Sequence, residues 1–225
     1  MSRVLISPEE IAIGSQLLLW AETYLMRDEE KIQRPYRPRT VCPFVEASVR
    51  RNAFFMTFHS EIGGDQVEPI VDLLSSYIKP FARRPGKKAE KTHQALLVVF
   101  PRLDPSSYHL LDKAHELTKD RMVESGLMIG QFHPECRTPA VHNSAWRGVS
   151  VAPYPLMAIR HMVVHDILFL RERKDWFLQY QARYGNKYER PSALTACNAH
   201  LLPVYNEAKM KFLELDTSWQ KEPTK

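Results

Sequence analysis

The sequence predicts an α+β fold, with a small central sheet of three to five strands, helices packed on it and a helical C-terminal extension. Three short apolar runs, at residues 53–58, 95–100 and 127–132, have the length and composition of strands. Segments of helical character lie between these runs. The chain has 225 residues, of which 44% are hydrophobic, and can bury a core without disulfides. We expect residues 1–171 to form the α+β domain and residues 172–225 to be a helical extension of it.

The first helix is predicted from a capping signal, Ser7-Pro8-Glu9-Glu10, in which a proline follows a capping serine and a glutamate lies three residues after it. The apolar positions that follow predict a helix to about residue 31. After the first strand, two glycines predict a turn, and residues 67–78 predict a second helix. The basic segment 79–91 predicts a loop.

The second half of the chain predicts further helices and one more strand. Asp104-Pro105 predicts the start of a helix that ends at Gly126. Residues 149–151 predict a fourth strand, and Pro155 predicts the start of a long helix that continues through residue 170. The last fifty residues predict helices separated by a glycine and a proline.

The formal net charge of +5 raises the question of a nucleic-acid partner. Much of the positive charge lies in two proline-containing segments, residues 34–39 and 83–88, which predict loops rather than one helix face. The sequence has no recognition helix lined with basic residues and no nucleic-acid motif. We therefore expect no nucleic-acid partner, although a basic rim that attracts a small anion stays open as an alternative.

The cysteines and the apolar runs bear on the compartment. Cys42, Cys136 and Cys197 are widely spaced and form no Cys-x-x-Cys pair, which favours a reducing compartment. No apolar run is long enough to cross a bilayer, and the N-terminus lacks the pattern of a signal peptide. We expect a cytoplasmic protein with a small-molecule substrate and no membrane partner. Self-association through residues 172–218 stays open.

His133 and Cys42 are the first candidates for chemistry. His133 stands at the end of a predicted strand and before Pro134, a position where strands commonly present functional groups. Its imidazole could ligate a metal or haem, act as a general base, or only anchor the loop behind it. Cys42 precedes Pro43, and its thiolate could ligate iron or act as a nucleophile.

Two histidines and three arginines complete the candidates. His161 and His165 are four residues apart on the predicted long helix, which is the spacing of a helical metal pair. Arg137, Arg147 and Arg160 flank the candidate site in sequence, and arginine binds carboxylates through two parallel hydrogen bonds. These arginines could hold a substrate acid or the propionates of a haem.

Three tripeptides occur in an order that resembles a known family. Cys42-Pro43-Phe44, Phe132-His133-Pro134 and Pro153-Tyr154-Pro155, followed by Ile159-Arg160, resemble the elements of an uncharacterised bacterial family of similar size. The resemblance covers roughly residues 17–170. More distantly, the chain is similar to the YqcI/YcgG-type proteins, which include haem-dependent enzymes that hydroxylate amino groups of amino acids in specialised metabolism. Those proteins tend to have Asn-Pro-His where this chain has Pro-Tyr-Pro.

The distant resemblance implies an iron-containing oxidoreductase, a monooxygenase that uses haem b to oxidise a small amine or an amino-acid-like substrate in a biosynthetic pathway. It implies His133 as the iron ligand with Cys42 as the rival, and a carboxylate or propionate partner in Arg147 or Arg160. Tyr154 would line the pocket. Two alternatives stay open: a non-haem enzyme, which is metal-assisted or uses Cys42 as nucleophile and His133 as base, and a non-catalytic ligand-binding module.

Overall fold

A computed structural model describes residues 7–27, 29, 40–141, 143–190 and 196–214. The basic segment at residues 34–39 lies outside the described residues. The first helix was predicted to reach about residue 31, but its helical chain ends at Leu25, and Met26 and Arg27 form a bend. The chain divides into two compact units, Met1–His161 and Met162–Lys225. The first unit holds a four-stranded mixed sheet with helices, and the second is helical. The predicted α+β fold with a small sheet and a helical C-terminal part is confirmed.

The sheet has the strand order β1-β2-β4-β3. Strands β1 and β2 are parallel, and β4 runs antiparallel to both of its neighbours, β2 and β3. It follows that β1, β2 and β3 all end at one edge, here called the carboxyl edge, where β4 begins. The strands are β1 (Phe54–Phe58), β2 (Ala95–Val99), β3 (Leu127–Phe132) and β4 (Leu156–His161).

The first helix begins at a capping box. The Ser7 hydroxyl accepts a hydrogen bond from the Glu10 amide, and the Glu10 carboxylate accepts one from the Ser7 amide, as the capping signal predicted. The α-helices are α1 (Pro8–Trp20), α2 (Val45–Arg50), α3 (Glu68–Ala82), α4 (Lys88–Lys91) and α5 (His109–Glu124). A π-helical turn, Ala21–Leu25, continues α1, and a 3-10 turn, Pro105–Ser107, precedes α5.

Helices cover both faces of the sheet. Helices α3 and α5 pack on one face, where Leu96, Val98 and Ile129 are buried. Helix α1 packs on the other face, against Leu97 and Val99. Side chains alternate between the two faces along a strand. When the last residue of a strand faces α1, the next residue therefore faces α3 and α5. Phe58, Val99 and Phe132 end their strands on the α1 face.

The structure corrects three predictions for the chain before the second unit. The basic segment 79–91 is not one loop, because α3 continues to Ala82 and α4 spans Lys88–Lys91. Residues 156–161 form the central strand β4, not the start of a long helix. Residues 149–151 form a turn and irregular chain, not a strand. The apolar run Leu156–Ile159 is compatible with either state, since a strand covered on both faces lacks the alternation that identifies half-buried strands.

The second unit is built around a cluster of tyrosines. The Tyr180 hydroxyl donates to the Val164 carbonyl at 2.7 Å, and the rings of Tyr188 and Tyr205 are stacked with centroids 3.9 Å apart. The α-helices of this unit are α6 (Ile167–Leu170), α7 (Lys174–Glu189) and α8 (Leu202–Lys209). The 3-10 and π turns are Val164–Asp166, Ala196–Leu201 and Met210–Glu214.

In the part of the chain that the structure describes, no helix combines the length and the apolar character needed to cross a bilayer.

Candidate metal centre

His133 follows the last residue of β3 and is buried, with 4% of its surface exposed. Its ring lies on the α3/α5 face, because Phe132 faces α1. The His133 Nε2 atom lies 3.7 Å from Oδ2 of Asp112, which is on α5. The ring of Tyr108, the residue before α5, lies with its centroid 5.2 Å from that of His133. The packing of α5 against β3 therefore presents a carboxylate and an aromatic ring to this histidine.

A tight turn brings Cys136 to the same place. The Cys136 amide donates to the His133 carbonyl at 3.1 Å, which closes the turn through Pro134. Cys136 is 1% exposed and forms no disulfide. One potential ligand atom from each of Asp112, His133 and Cys136 lies within 4.8 Å of the other two. Helix α5 and the turn after β3 thus converge on one small volume.

The buried imidazole has no ordinary hydrogen bond. Neither the Nδ1 nor the Nε2 atom of His133 has a hydrogen-bond partner within the described residues, since the Asp112 contact is too long for one. A buried polar group without a partner costs roughly 1–3 kcal/mol. A bound cation would give one of these nitrogens a partner. Imidazole nitrogen, thiolate sulfur and carboxylate oxygen are the ligand types that zinc(II) takes in proteins.

Two further side chains support the sulfur. The amide Nε2 of Gln131 donates to Thr138 Oγ1 at 3.1 Å, and that oxygen lies 3.3 Å from Cys136 Sγ. Because the Thr138 oxygen accepts from Gln131, its own hydrogen is available to the sulfur. Such outer contacts orient metal ligands and tune their charge.

The electrostatic environment favours charge separation between His133 and Cys136. Burial alone lowers the pKa of His133, but the interactions with Cys136 and Asp112 outweigh it, and the pKa lies above its ordinary value. Burial alone raises the pKa of the Cys136 thiol, but contacts with His133 and Thr138 outweigh it, and that pKa is lowered. Both shifts favour the thiolate, which is the form of cysteine that binds metals and attacks electrophiles.

Cys42 lies on the opposite side of the sheet from His133. It packs with Leu25, Val45 and Trp146 in an apolar cluster that also includes Phe54, whose side chain is on the α1 face. The guanidinium of Arg160 lies 4.9 Å above the ring of Phe44, which is close to Cys42 in the chain. The Cys-Pro-Phe element therefore meets Arg160, while the histidine meets Cys136.

His161 and His165, the predicted helical metal pair, do not lie on one helix. His161 is the last residue of β4, and its ring stacks on that of Phe81 at 5.2 Å. His165 belongs to the 3-10 turn Val164–Asp166 in the second unit, where its ring lies 5.7 Å from that of His200. The four-residue spacing consequently does not place them on one helical face.

The remaining predicted site residues are engaged elsewhere in the first unit. The Tyr154 hydroxyl donates to Oε1 of Gln16 at 2.9 Å, on α1. The Arg147 Nη1 atom donates to the carbonyl of Arg137 at 3.2 Å, one residue beyond Cys136. Arg137 and Arg147 are both exposed.

Sequence reasoning missed two members of the cluster and a second histidine. Cys136 stands three residues after His133, a spacing that a tight turn can close, and this signal was in the sequence. Asp112 has no such signal. His59 follows β1 at the same carboxyl edge, where its Nδ1 lies 2.6 Å from Glu61 Oε1 and its Nε2 lies 3.0 Å from the Tyr77 hydroxyl. Three strand spacings, or about 14 Å, separate the positions of β1 and β3 at this edge.

Comparison with known proteins identifies a family. No curated protein and no solved structure is significantly similar to the chain. The model of one family, described as a domain of unknown function (DUF6875), matches residues 14–195. That range contains the whole sheet and all three residues of the Asp112–His133–Cys136 cluster. The chain belongs to the DUF6875 family.

Proposed function

We propose that this protein is a metal-dependent enzyme whose divalent ion is held by Asp112, His133 and Cys136. The observation that carries the proposal is that three potential ligand atoms lie within 4.8 Å of one another around a buried imidazole, which has no hydrogen bond of ordinary geometry to the described residues. Metal bonds of about 2.0–2.3 Å place tetrahedral ligands roughly 3.3–3.8 Å apart, so closure of the site needs only a small contraction.

The ligand types favour zinc(II) or iron(II) over magnesium or calcium. A thiolate is a soft ligand that hard cations avoid, and His and Asp complete a mixed set suited to transition metals. Three protein ligands leave at least one coordination position for water or substrate, which is the pattern of catalytic rather than structural zinc. The Asp112 side chain is 48% exposed, so solvent reaches the helix side of the site.

The reaction class follows from that ligand set. A divalent ion with an open position acts as a Lewis acid on a bound oxygen or lowers the pKa of a bound water. The residues of the chain hold the ion, exclude water from the His133 side and orient the sulfur through Thr138. A small-molecule substrate and a cytoplasmic location are part of the proposal. The location is supported by the absence of a disulfide at Cys42 and Cys136.

The haem-dependent oxidation implied by the distant resemblance stays a prediction. As an axial ligand, His133 would need a ring nitrogen facing open space as wide as a macrocycle. Here His133 is 4% exposed, with Asp112 beside Nε2 and the Tyr108 ring against it. These contacts favour a single ion over a haem at His133.

A thiol enzyme is a second candidate, supported by the lowered pKa of Cys136 beside the raised pKa of His133. In that mechanism Cys136 is the nucleophile, His133 takes its proton and Asp112 orients the imidazole. The sequence-based alternative had assigned this role to Cys42. The burial of Cys136 favours the metal mechanism, because a buried sulfur can ligate an ion but has limited access to a substrate.

The experiment compares two matched cysteine variants. The full chain, Cys136→Ser and Cys42→Ser are purified without chelator, and their zinc and iron contents are measured by mass spectrometry together with an absorption spectrum. We expect about one ion per wild-type and Cys42→Ser chain, loss of the ion from Cys136→Ser, and no Soret band. A wild-type chain that stays metal-free after dialysis against zinc would contradict the metal centre. In that case, protection of Cys136 from alkylation by a substrate and not by zinc would favour the thiol enzyme. A Soret band in the wild type that is lost in His133→Ala would favour haem.

A further inference from the structure

The connection between β3 and β4 is long for a loop, and it carries His133 and Cys136, the two proposed ligands that are close in sequence. Residues 133–155 join two neighbouring antiparallel strands that a turn of a few residues could join. Loops of this length inside a compact domain commonly carry function. This segment therefore offers side chains that can reach a substrate bound at the metal centre.

Contacts with helix α1 and its π-helical continuation hold this loop in place. The Trp20 indole donates to the Val151 carbonyl at 3.1 Å, and the Tyr24 hydroxyl donates to the Gly148 carbonyl. Inside the loop, the Ala140 amide donates to the Trp146 carbonyl at 2.9 Å. The backbone next to Arg147 is thus fixed from both sides.

Arg147 lies close to the metal centre. Its Nη1 donates a hydrogen bond to the carbonyl of Arg137, and Arg137 is the residue that follows Cys136 in the chain. Backbone dimensions limit the separation between that guanidinium nitrogen and the Cys136 sulfur to about 12 Å or less. The span suits a small organic molecule of a few carbon atoms, with one end at the ion and the other at the arginine.

The balance of charges at this site favours an anion. The two charges of the ion are balanced by the Asp112 carboxylate and the Cys136 thiolate. Within the described residues, Arg137 and Arg147 form no ion pair with a carboxylate, and Glu135 is the acidic residue of the turn. The Arg147 guanidinium gives one of its five hydrogens to the described residues, so a planar pair of hydrogens stays available for a carboxylate.

We propose that the metal centre takes a small organic acid, whose carboxylate binds Arg147 while its other end reaches the ion. The inference rests on the proposed metal centre and names its substrate class. Arg147 is a binding residue in this scheme, and the loop contacts of Trp20 and Tyr24 position it.

The test uses the full chain loaded with cobalt(II), whose visible bands report ligands entering its coordination sphere. Succinate is the probe, and succinamide is its neutral counterpart of the same shape. We expect succinate to perturb the cobalt bands at a concentration about 10-fold or more lower than succinamide, the scale of one charge-assisted hydrogen-bonded pair. Arg147→Gln should reduce this preference about 10-fold, because only the part due to the arginine is lost while the carboxylate at the ion still favours succinate. Arg147→Lys should lose less of it, and Arg83→Gln, on the loop after α3, should leave it unchanged.

The outcomes separate the two proposals. A wild-type chain that binds no cobalt contradicts the metal centre itself. A cobalt-loaded wild-type chain that responds equally to succinate and succinamide overturns only the substrate class. An Arg147→Gln chain that keeps its cobalt and the full preference for succinate overturns the role of Arg147.

Discussion

The amide of Cys136 donates to the carbonyl of His133 at 3.1 Å, and this single hydrogen bond defines the turn that follows β3. The strand holds His133 in place, and the turn then brings the sulfur to the imidazole. The two proposed ligands that are close in sequence, His133 and Cys136, are therefore positioned before any metal binds. Pre-positioning of this kind lowers the conformational entropy cost of ion binding, because the two side chains lose less freedom when the ion binds.

Asp112 is the proposed ligand that a different element contributes, and its removal should weaken metal binding without unfolding the chain. Asp112→Asn keeps the shape of the side chain but removes the negative charge that faces the ion. We expect the zinc affinity, measured by competition with a chromogenic chelator, to fall about 100-fold. Glu116→Gln is the matched control, because Glu116 lies one turn further on α5 in a surface pair with Lys113 at 3.3 Å. Equal affinities for the two variants would exclude Asp112 as a ligand.

Thr138 should tune the metal centre through the sulfur. Thr138→Val keeps the shape of the side chain but removes the hydroxyl between Gln131 and Cys136. We expect zinc affinity to fall by about 10-fold or more, as for other outer contacts of metal ligands. Thr138→Ser retains the hydroxyl and should restore most of the affinity. If valine and serine variants bind zinc equally well, the hydroxyl has no part in the centre.

The fold was largely predictable because its signals are local. The Ser7 capping box and the strands at β1, β2 and β3 are each specified by a few neighbouring residues. Strand β4, an interior strand like β2, was not predicted, because Pro155 in front of it resembles the proline at the first turn of a helix and its apolar residues are followed by further apolar residues. A strand in that position has no alternating pattern, and its apolar run resembles a buried helix.

The candidate site was predictable only in its local part. His133 was found from its position at a strand end, which is a local property. Its partner could not be chosen between Cys42 and Cys136 without knowing which face of the sheet each cysteine reaches. The approach of Asp112 depends on how α5 packs against β3, and no sequence spacing encodes that packing.

Gly148 should be necessary for the loop that carries the metal ligands. A Cβ atom at this position would lie 2.7 Å from Trp146 Nε1 and 3.0 Å from the Tyr24 hydroxyl, so one of them must move. We expect Gly148→Ala to lower the free energy of unfolding by about 1–3 kcal/mol, the usual cost of overpacking. Gly64→Ala is the control, because a Cβ there meets no atom within 4 Å. Urea denaturation should separate the two variants; equal midpoints would show that the loop adapts freely.

The stability of the chain should fall in mild acid because of His161. Burial, and then the charge of Lys91, lower the pKa of His161 from 6.5 to about 4. The unfolded chain therefore binds a proton between pH 6.5 and 4 where the folded chain does not. Stability is full above pH 6.5 and is lost as the pH falls toward 4.

The size of this effect is limited by the partial exposure of the ring, and we expect a loss of about 1 kcal/mol between pH 7.5 and 5. His161→Phe keeps a ring against Phe81 but cannot titrate, so its urea midpoint should change less between these two pH values. Some dependence should persist, because burial also lowers the pKa of His115 to about 4. A His161→Phe chain with the full wild-type dependence would show that another group carries it.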